Sequence, residues 1–235
     1  MSKGKLYIIP IHISETAFDR VLPAYNTEKI KKMRVFAVEN VKTARRFLRK
    51  MDKDFPIDDT TFYQQDKHDD YAFHHEIIEQ LKAGNDVGLM SESGYPAIAD
   101  PGNRIVATAQ ENGIEVVPLV GPSSLLMALA ASGLNGQGFA FNGYLPIKEP
   151  ERSRQIQLMS DIVVKTTYSQ LFIETPYRNK TIFEDFLKHC PEGMKLCVAF
   201  DVTGEKESIQ TKTLGDWKKA PFKFDKTPCV FILGK

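Results

Sequence analysis

Residues 86–113 read DVGLMSESGYPAIADPGNRIVATAQENG. The apolar VGLM is short and bounded, as a buried strand is. SESGYPAIADPG (91–102) follows, with two glycines and two prolines in twelve residues, a stiff turn with few bulky side chains. NRIVATAQENG spaces its apolar residues as a helix does and closes on Gly113 at the C-terminal cap. IEVVPLV then resumes as a strand. Strand, turn, helix and strand make a βαβ unit, and this unit sets the reading of the rest of the chain.

Working outward, KLYIIP and RVFAVEN read as strands, VKTARRFLRKM as a helix, TTFYQQ as a strand, and YAFHHEIIEQLKAG as a helix ended by Gly84. The alternation predicts a parallel sheet with helices on its faces. A second series begins with the small-residue helix GPSSLLMALAASG. It continues through the strand FAFNGYLP, the charged helix EPERSRQIQLMSDIV, the strand SQLFIETP and the helix RNKTIFEDFLKHC. KLCVAFDVT, SIQTKTL and TPCVFILG then follow as strands with little helix between them, so this half is expected to be mixed rather than purely parallel. The expected architecture is α/β in two domains, residues 1–117 and 118–235, with the boundary near Pro118–Ser124.

Composition narrows the function classes. The chain has 235 residues, 42% hydrophobic and 26% charged, with a formal net charge of +1. That is ordinary globular material, and the total charge gives no global pull toward nucleic acid or membrane. The opening MSKGKLYIIPIHIS is not a signal peptide, and no apolar run is long enough to span a bilayer. Cys190, Cys197 and Cys229 lack metal-type spacing, so they read as buried thiols in a reducing, cytoplasmic setting.

Ligands of open parallel sheets bind beyond the carboxyl ends of the strands. Two Gly/Pro turns stand at such ends, SESGYPAIADPG and VGPSS (120–124). Neither carries the glycine pattern or the lysine of a nucleotide-phosphate loop. FIETPYRN (172–179) and VAFDVTGEKE (198–207) are two further polar strand exits. All four are expected to converge on one cleft between the two domains.

LMSESGYPAIADPG, GPSSLLMALAASGL, FAFNGYLPIKEPERSRQ and FIETPYR, in that order, resemble the ordered motifs of the tetrapyrrole (corrin/porphyrin) methylase superfamily. They are most similar to the branch that methylates a cytidine ribose 2′-hydroxyl of small-subunit ribosomal RNA. The resemblance spans nearly the whole chain. It implies a class III methyltransferase that binds S-adenosylmethionine between two α/β domains, usually as a homodimer. By motif, Gly94, Tyr95, Pro96, Ile98 and Ala99 would wall the cofactor slot, and Ser123 and Ser124 would bond its methionine end. Ile173, Glu174 and Thr175 would line the adenosine side, with Ala199 nearby. Pro10, Arg45, His75 and Thr203 would face the substrate. A cofactor held by main-chain groups also explains a turn so poor in side chains.

The departures fall on the substrate side. The branch opens ATPIGNxxD where this chain has IPIHISETAFD, which keeps Pro10 and Ile11 and loses the glycine. EDTRxTRRLL appears as VENVKTARRFL, keeping Glu39, Thr43, Arg45 and Arg46, with Asn40 in place of an aspartate. ARELTK appears as AFDVTGEKE, which loses an arginine and a lysine and keeps Thr203 and Glu207.

Transfer from a sulfonium needs alignment and exclusion of water, and a ribose hydroxyl gains from a base. Glu39, at the end of a buried strand, is the leading acid/base candidate; the alternative is a charge at a helix N-terminus. Glu92 and Asp201 are further candidates of more structural character. KHDDYAFHHEII holds three of the five histidines, but His74 and His75 are adjacent and point to different helix faces, so no metal is expected. KTARRFLRKMDK is basic on one face, which suits either phosphate contact or a solvated helix surface. The acceptor is expected to be small-subunit ribosomal RNA. A tetrapyrrole, or a non-catalytic cofactor-binding module, is the alternative.

Overall fold

A computed structural model of the chain describes residues 2–15, 18–65 and 70–235, with side chains from Phe73 onward in the last segment. The chain divides into two units, residues 1–123 and 124–235. β5 and the turn after it therefore stay with the first unit.

The first unit alternates strand and helix: β1 (Leu6–Ile8), α1 (Phe18–Val21), α2 (Ala24–Ile30), β2 (Val35–Val38), α3 (Val41–Met51), β3 (Thr61–Gln64), α4 (Asp70–Lys82), β4 (Val87–Met90), α5 (Asn103–Glu111) and β5 (Val116–Pro118). The strands form one parallel sheet in the order β3-β2-β4-β1-β5. β1, β2 and β4 are buried along their whole length, as parallel strands covered on both faces must be. Successive side chains alternate between two cores. Tyr7, Ile9, Phe36, Val38 and Met90 pack against Phe47 and Leu48 of α3. Leu6, Ile8, Val35, Ala37, Val87 and Leu89 pack against α4 and α5 on the other face.

The second unit contains α6 (Ser124–Ser132), β6 (Phe139–Phe141), α7 (Glu151–Thr166), β7 (Ser169–Glu174), α8 (Asn179–His189), β8 (Lys195–Phe200), β9 (Ser208–Thr213), α9 (Leu214–Lys219) and β10 (Cys229–Gly234). Its sheet is mixed, in the order β6-β7-β10-β8-β9, with β6 and β7 parallel and the other pairs antiparallel. The short α9 is the one helix between β8 and β10, which leaves no crossover helix to keep the strands parallel. β10 is the central strand, and its seating on both neighbours organises the unit. One core stacks Phe172 on Phe186 and Phe231, with centroids 4.7 and 5.4 Å apart. Trp217 lies in the same core at 1% exposure, its Nε1 donating to the Leu196 carbonyl at 2.8 Å. The opposite core places Leu171, Cys197, Ala199, Val230 and Ile232 beneath α6. No described helix is long and apolar enough to cross a membrane.

Candidate functional site

In a parallel sheet every strand leaves at the same edge, so β1, β2, β4 and β5 of the first unit deliver their exits together. The β1 exit is tied to the loop after β4. Ile9 N donates to Leu89 O and Ile11 N to Gly94 O, both at 2.9 Å. Ser93 Oγ donates to Ile13 O at 3.4 Å, and Ser91 Oγ to Ser93 O at 3.1 Å. Within the loop Gly94, Ala97, Ala99 and Gly102 all have positive φ, at 68°, 66°, 62° and 120°. Such angles are uncommon for residues other than glycine, and here two alanines adopt them. A Cβ on Gly94 would have nothing nearer than Ile13 Cγ1 at 3.9 Å, so this position requires its backbone angle rather than space. Tyr95 packs on the core and Pro96 is buried, whereas Ile98 and Ala99 are exposed. The first pair anchors the loop and the second is presented to solvent.

The β5 exit closes on the β1 exit. A Cβ on Gly121 would lie 2.2 Å from Pro10 Cγ, so only hydrogen fits there. Asn26, 1% exposed, donates from Nδ2 to Val120 O at 2.7 Å and holds this turn from α2. Pro10 is thus buried under the turn, and Ser123 is half-buried beyond it.

Three carboxylates gather at this edge. Glu39, just past β2, accepts the Glu92 N–H on Oε2 at 3.2 Å, and Glu92 Oε1 accepts from Thr43 Oγ1 at 3.2 Å. Asn40 caps α3, its side chain accepting from Lys42 N at 2.9 Å and Thr43 N at 3.2 Å. The cap is therefore Asn40, while Glu39 holds the loop. Burial pushes Asp100 up to about 6, with help from the charges of Glu39 and Glu92 and against a hydrogen bond from Ser91. Asp100 is a site feature that the motif reading passed over, although it stands in the quoted turn. His12 was also passed over. It stands where the resembling pattern has glycine, stacks on Phe47 at 6.2 Å, and keeps a buried Nδ1 with no partner among the described residues. Burial, then Lys50, lowers its pKa. Arg45 is exposed on α3, 3.8 Å from Asp58, and His75 is exposed on α4. His68, in the same histidine-rich stretch, lies outside the described residues.

In the second unit β6, β7 and β8 run the same way and share one exit edge, with β10 entering between β7 and β8. Cys229 pairs with Glu174 on one side and Phe200 on the other. The Glu174 side chain is 0% exposed and bonds Arg178 Nη1 at 3.2 Å. Its Oε2 also accepts the Thr175 N–H at 3.1 Å. Arg178 Nη2 donates onward to Leu145 O at 3.2 Å and Pro146 O at 3.0 Å, so one guanidinium ties the β6 exit to the β7 exit. Burial raises the Glu174 pKa against the pull of Arg178. Its Oε1 makes no well-formed hydrogen bond among the described residues, the Leu145 amide offering only a weak one.

At the β8 exit Asp201 and Thr203 both adopt positive φ, 50° and 70°. Asp201 Oδ2 accepts from Lys206 N at 2.9 Å, and Glu207 Oε2 accepts from Thr203 N at 2.7 Å. Thr203 is 4% exposed, and its Oγ1 is buried with no partner among the described residues. Ala199 is fully buried under α6 with Ile173 packed beside it, Thr175 is exposed, and Ser124 opens α6. Phe200, where the resembling motif has arginine, is 5% exposed and packs on Phe222 at 5.3 Å. Away from these exits, Glu149, Asp185 and His189 bring ligand atoms within 4.8 Å of one another. Arg152 bonds both carboxylates, at 2.6 Å to Asp185 and 3.0 Å to Glu149, which makes this an ion-pair network.

Residues 27–218 match the model of the tetrapyrrole (corrin/porphyrin) methylases. The chain is 32% identical over 162 residues to the ribosomal RNA small subunit methyltransferase I of Vibrio cholerae, covering 69% of this chain and 54% of that protein. It is 29% identical over 217 residues to the protein of the same name from Escherichia coli O157:H7, covering 92% and 71%. The chain spans about half the length of most of the curated relatives it matches. A uroporphyrin III C-methyl transferase from Thermus thermophilus superposes with a TM-score of 0.60 at 14% identity, over 99% of this chain and 98% of that one, a likeness of fold. With most of its length matched by one family model and both α/β sheets in place, the chain belongs to the tetrapyrrole (corrin/porphyrin) methylase family.

Proposed function

We propose that the chain is an S-adenosylmethionine-dependent methyltransferase that modifies a ribose 2′-hydroxyl of small-subunit ribosomal RNA, working as a cytoplasmic homodimer. The observation that carries this reading is the Ser91–Gly102 loop, with four positive-φ residues at the carboxyl edge of a parallel sheet. The names of the relatives that match the chain support the acceptor. When bound, the cofactor supplies a methyl group already activated on a sulfonium. The polypeptide then has to hold two partners in line and keep water out.

Gly94, Tyr95, Pro96, Ile98 and Ala99 would take one side of the cofactor through main-chain groups, and Ser123 and Ser124 its methionine end. Ile173, Glu174, Thr175 and Ala199 would serve adenosine. The residues fit such a guest: Glu174 Oε1 and Thr203 Oγ1 are buried oxygens short of hydrogen bonds, suited to the amino and hydroxyl groups of a nucleoside. Glu39 commits Oε2 to the loop, which leaves its other oxygen to take the proton of the acceptor hydroxyl.

The test is transfer of labelled methyl groups from S-adenosylmethionine to small ribosomal subunits that lack the native modification. Label recovered in a ribose, and lost in Gly94→Val, is the expected result; a β-branched residue takes the backbone angle found there only under strain. Cofactor binding with no label in RNA would overturn the acceptor and move a tetrapyrrole, or a sensing role, ahead of it.

A further inference from the structure

The stretch 42–53 places six cations, Lys42, Arg45, Arg46, Arg49, Lys50 and Lys53, at alternating steps of three and one. On α3, which ends at Met51, the first five form one continuous stripe, and Lys53 follows just beyond the extended Asp52. All six are exposed, and α3 itself contains no acidic residue. The opposite face is fixed: Ala44, Phe47 and Leu48 are buried and Met51 packs on the same core. From Lys42 to Lys50 the stripe is about 12 Å long, at 1.5 Å per residue. Asp52, at the C-cap of α3, pairs with Lys31 at 3.2 Å and also lies in the field of Arg49. Asp58 lies 3.8 Å from Arg45 and Glu15 3.6 Å from Lys50, both acids about nine-tenths exposed, and contacts of that kind hold cations weakly. Arg49 also donates to the Lys53 carbonyl at 2.5 Å, which keeps the end of the stripe in register.

The stripe starts at the candidate site. Asn40 caps α3, and Thr43 in its first turn bonds Glu92 of the loop. Glu39, Glu92 and Asp100 make that edge acidic, so a polyanion lying on α3 meets repulsion at the first turn of the helix. Cations in a row next to an acidic edge hold the flank of a strand and leave its end to the site.

We propose that the exposed face of α3 is a phosphate track that binds the backbone of the RNA substrate beside the reacting nucleotide. This rests on the RNA reading above. An anionic membrane is the poorer partner, because a surface-lying helix needs an apolar face to insert and that of α3 is locked in the core.

The experiment is fluorescence anisotropy of a labelled single-stranded RNA with the full chain across a salt series. Six backbone contacts predict a slope of log K against log salt near about −4, at roughly 0.7 per contact. Arg46→Gln/Arg49→Gln/Lys53→Gln should cut it to about −2, with folding checked by circular dichroism. Arg46→Lys/Arg49→Lys should keep the slope. Lys180→Gln/Lys188→Gln/Lys219→Gln removes the same net charge from the second unit and should also leave it unchanged. An unaltered slope in the α3 triple variant overturns the track while leaving the RNA reading intact. Absence of RNA binding by the parent chain, with S-adenosylmethionine binding retained by calorimetry, overturns both. Equal affinity for phosphatidylserine vesicles overturns the assignment to nucleic acid.

Discussion

Glu174 sits in the β7 exit with no solvent exposure, and the guanidinium of Arg178 is its ion-pair partner. Removing one partner of a buried pair costs more than removing both. Arg178→Met is expected to lower stability by about 3 kcal/mol, and Glu174→Gln/Arg178→Met by clearly less, as a urea-denaturation cycle would read. Glu174 already titrates above its usual range because it is buried. The single-variant loss should therefore be larger at pH 8 than at pH 5, where the unpaired carboxyl takes up a proton. Asp100 shows the same sign, with a hydrogen bond from Ser91 in place of an ion pair. Its folded pKa of about 6 lies above the unfolded value of 3.8. Ionisation thus disfavours the folded state progressively from pH 4 to 6, and fully above that. Asp100→Asn should stabilise the protein by about 1–2 kcal/mol at pH 7.5, after discounting for partial exposure, and by little at pH 4. Equal melting shifts at both pH values would contradict this. Neither Asp100 nor Arg178 stands out in the sequence, although both lie in quoted motifs. Asp100 owes its shift to Glu39 and Glu92 arriving from other segments, and Arg178 owes its role to carbonyls 32 and 33 residues away. Spacing along the chain does not encode such meetings.

Among the elements, α3 was the most legible. Its apolar spacing in VKTARRFLRKM marks the observed limits, Val41–Met51, and the structure adds Asn40 as the cap. Asn40→Ala should cost about 1 kcal/mol through loss of the cap, measurable by thermal melting. It should also loosen the Thr43–Glu92 bond that ties the helix to the loop. α1, α2 and α9 escaped the reading for physical reasons. Pro23 interrupts the apolar period between the first two, and α9 is six residues long, too short to display one. The stretch FAFNGYLP yields a strand of only three residues, Phe139–Phe141. The chain then turns out through Gly143 at positive φ. That the second sheet is mixed was readable from the scarcity of helix near its end. Its strand order was not, because nothing local in TPCVFILG says that this segment enters between β7 and β8.

Across the molecule that placement carries weight. β10 bonds both β7 and β8, so removing it strips partners from two strands at once and opens both cores of the second unit. Deletion of residues 229–235 should abolish the folded second unit while residues 2–123 keep protease resistance. Limited proteolysis with mass mapping would find the surviving fragment, and an intact 124–228 fragment would contradict the expectation. The two units also differ in how they can be observed. The chain has a single tryptophan, Trp217, buried in the second unit with Lys212 Nζ 4.2 Å above its ring. Its emission is therefore an intrinsic optical probe of residues 124–235 and is blind to the other half. A denaturation curve followed at that wavelength traces one sheet, and one followed by far-ultraviolet dichroism traces both. Any separation between the two curves measures the difference in resilience of the two sheets, without a label or an added dye.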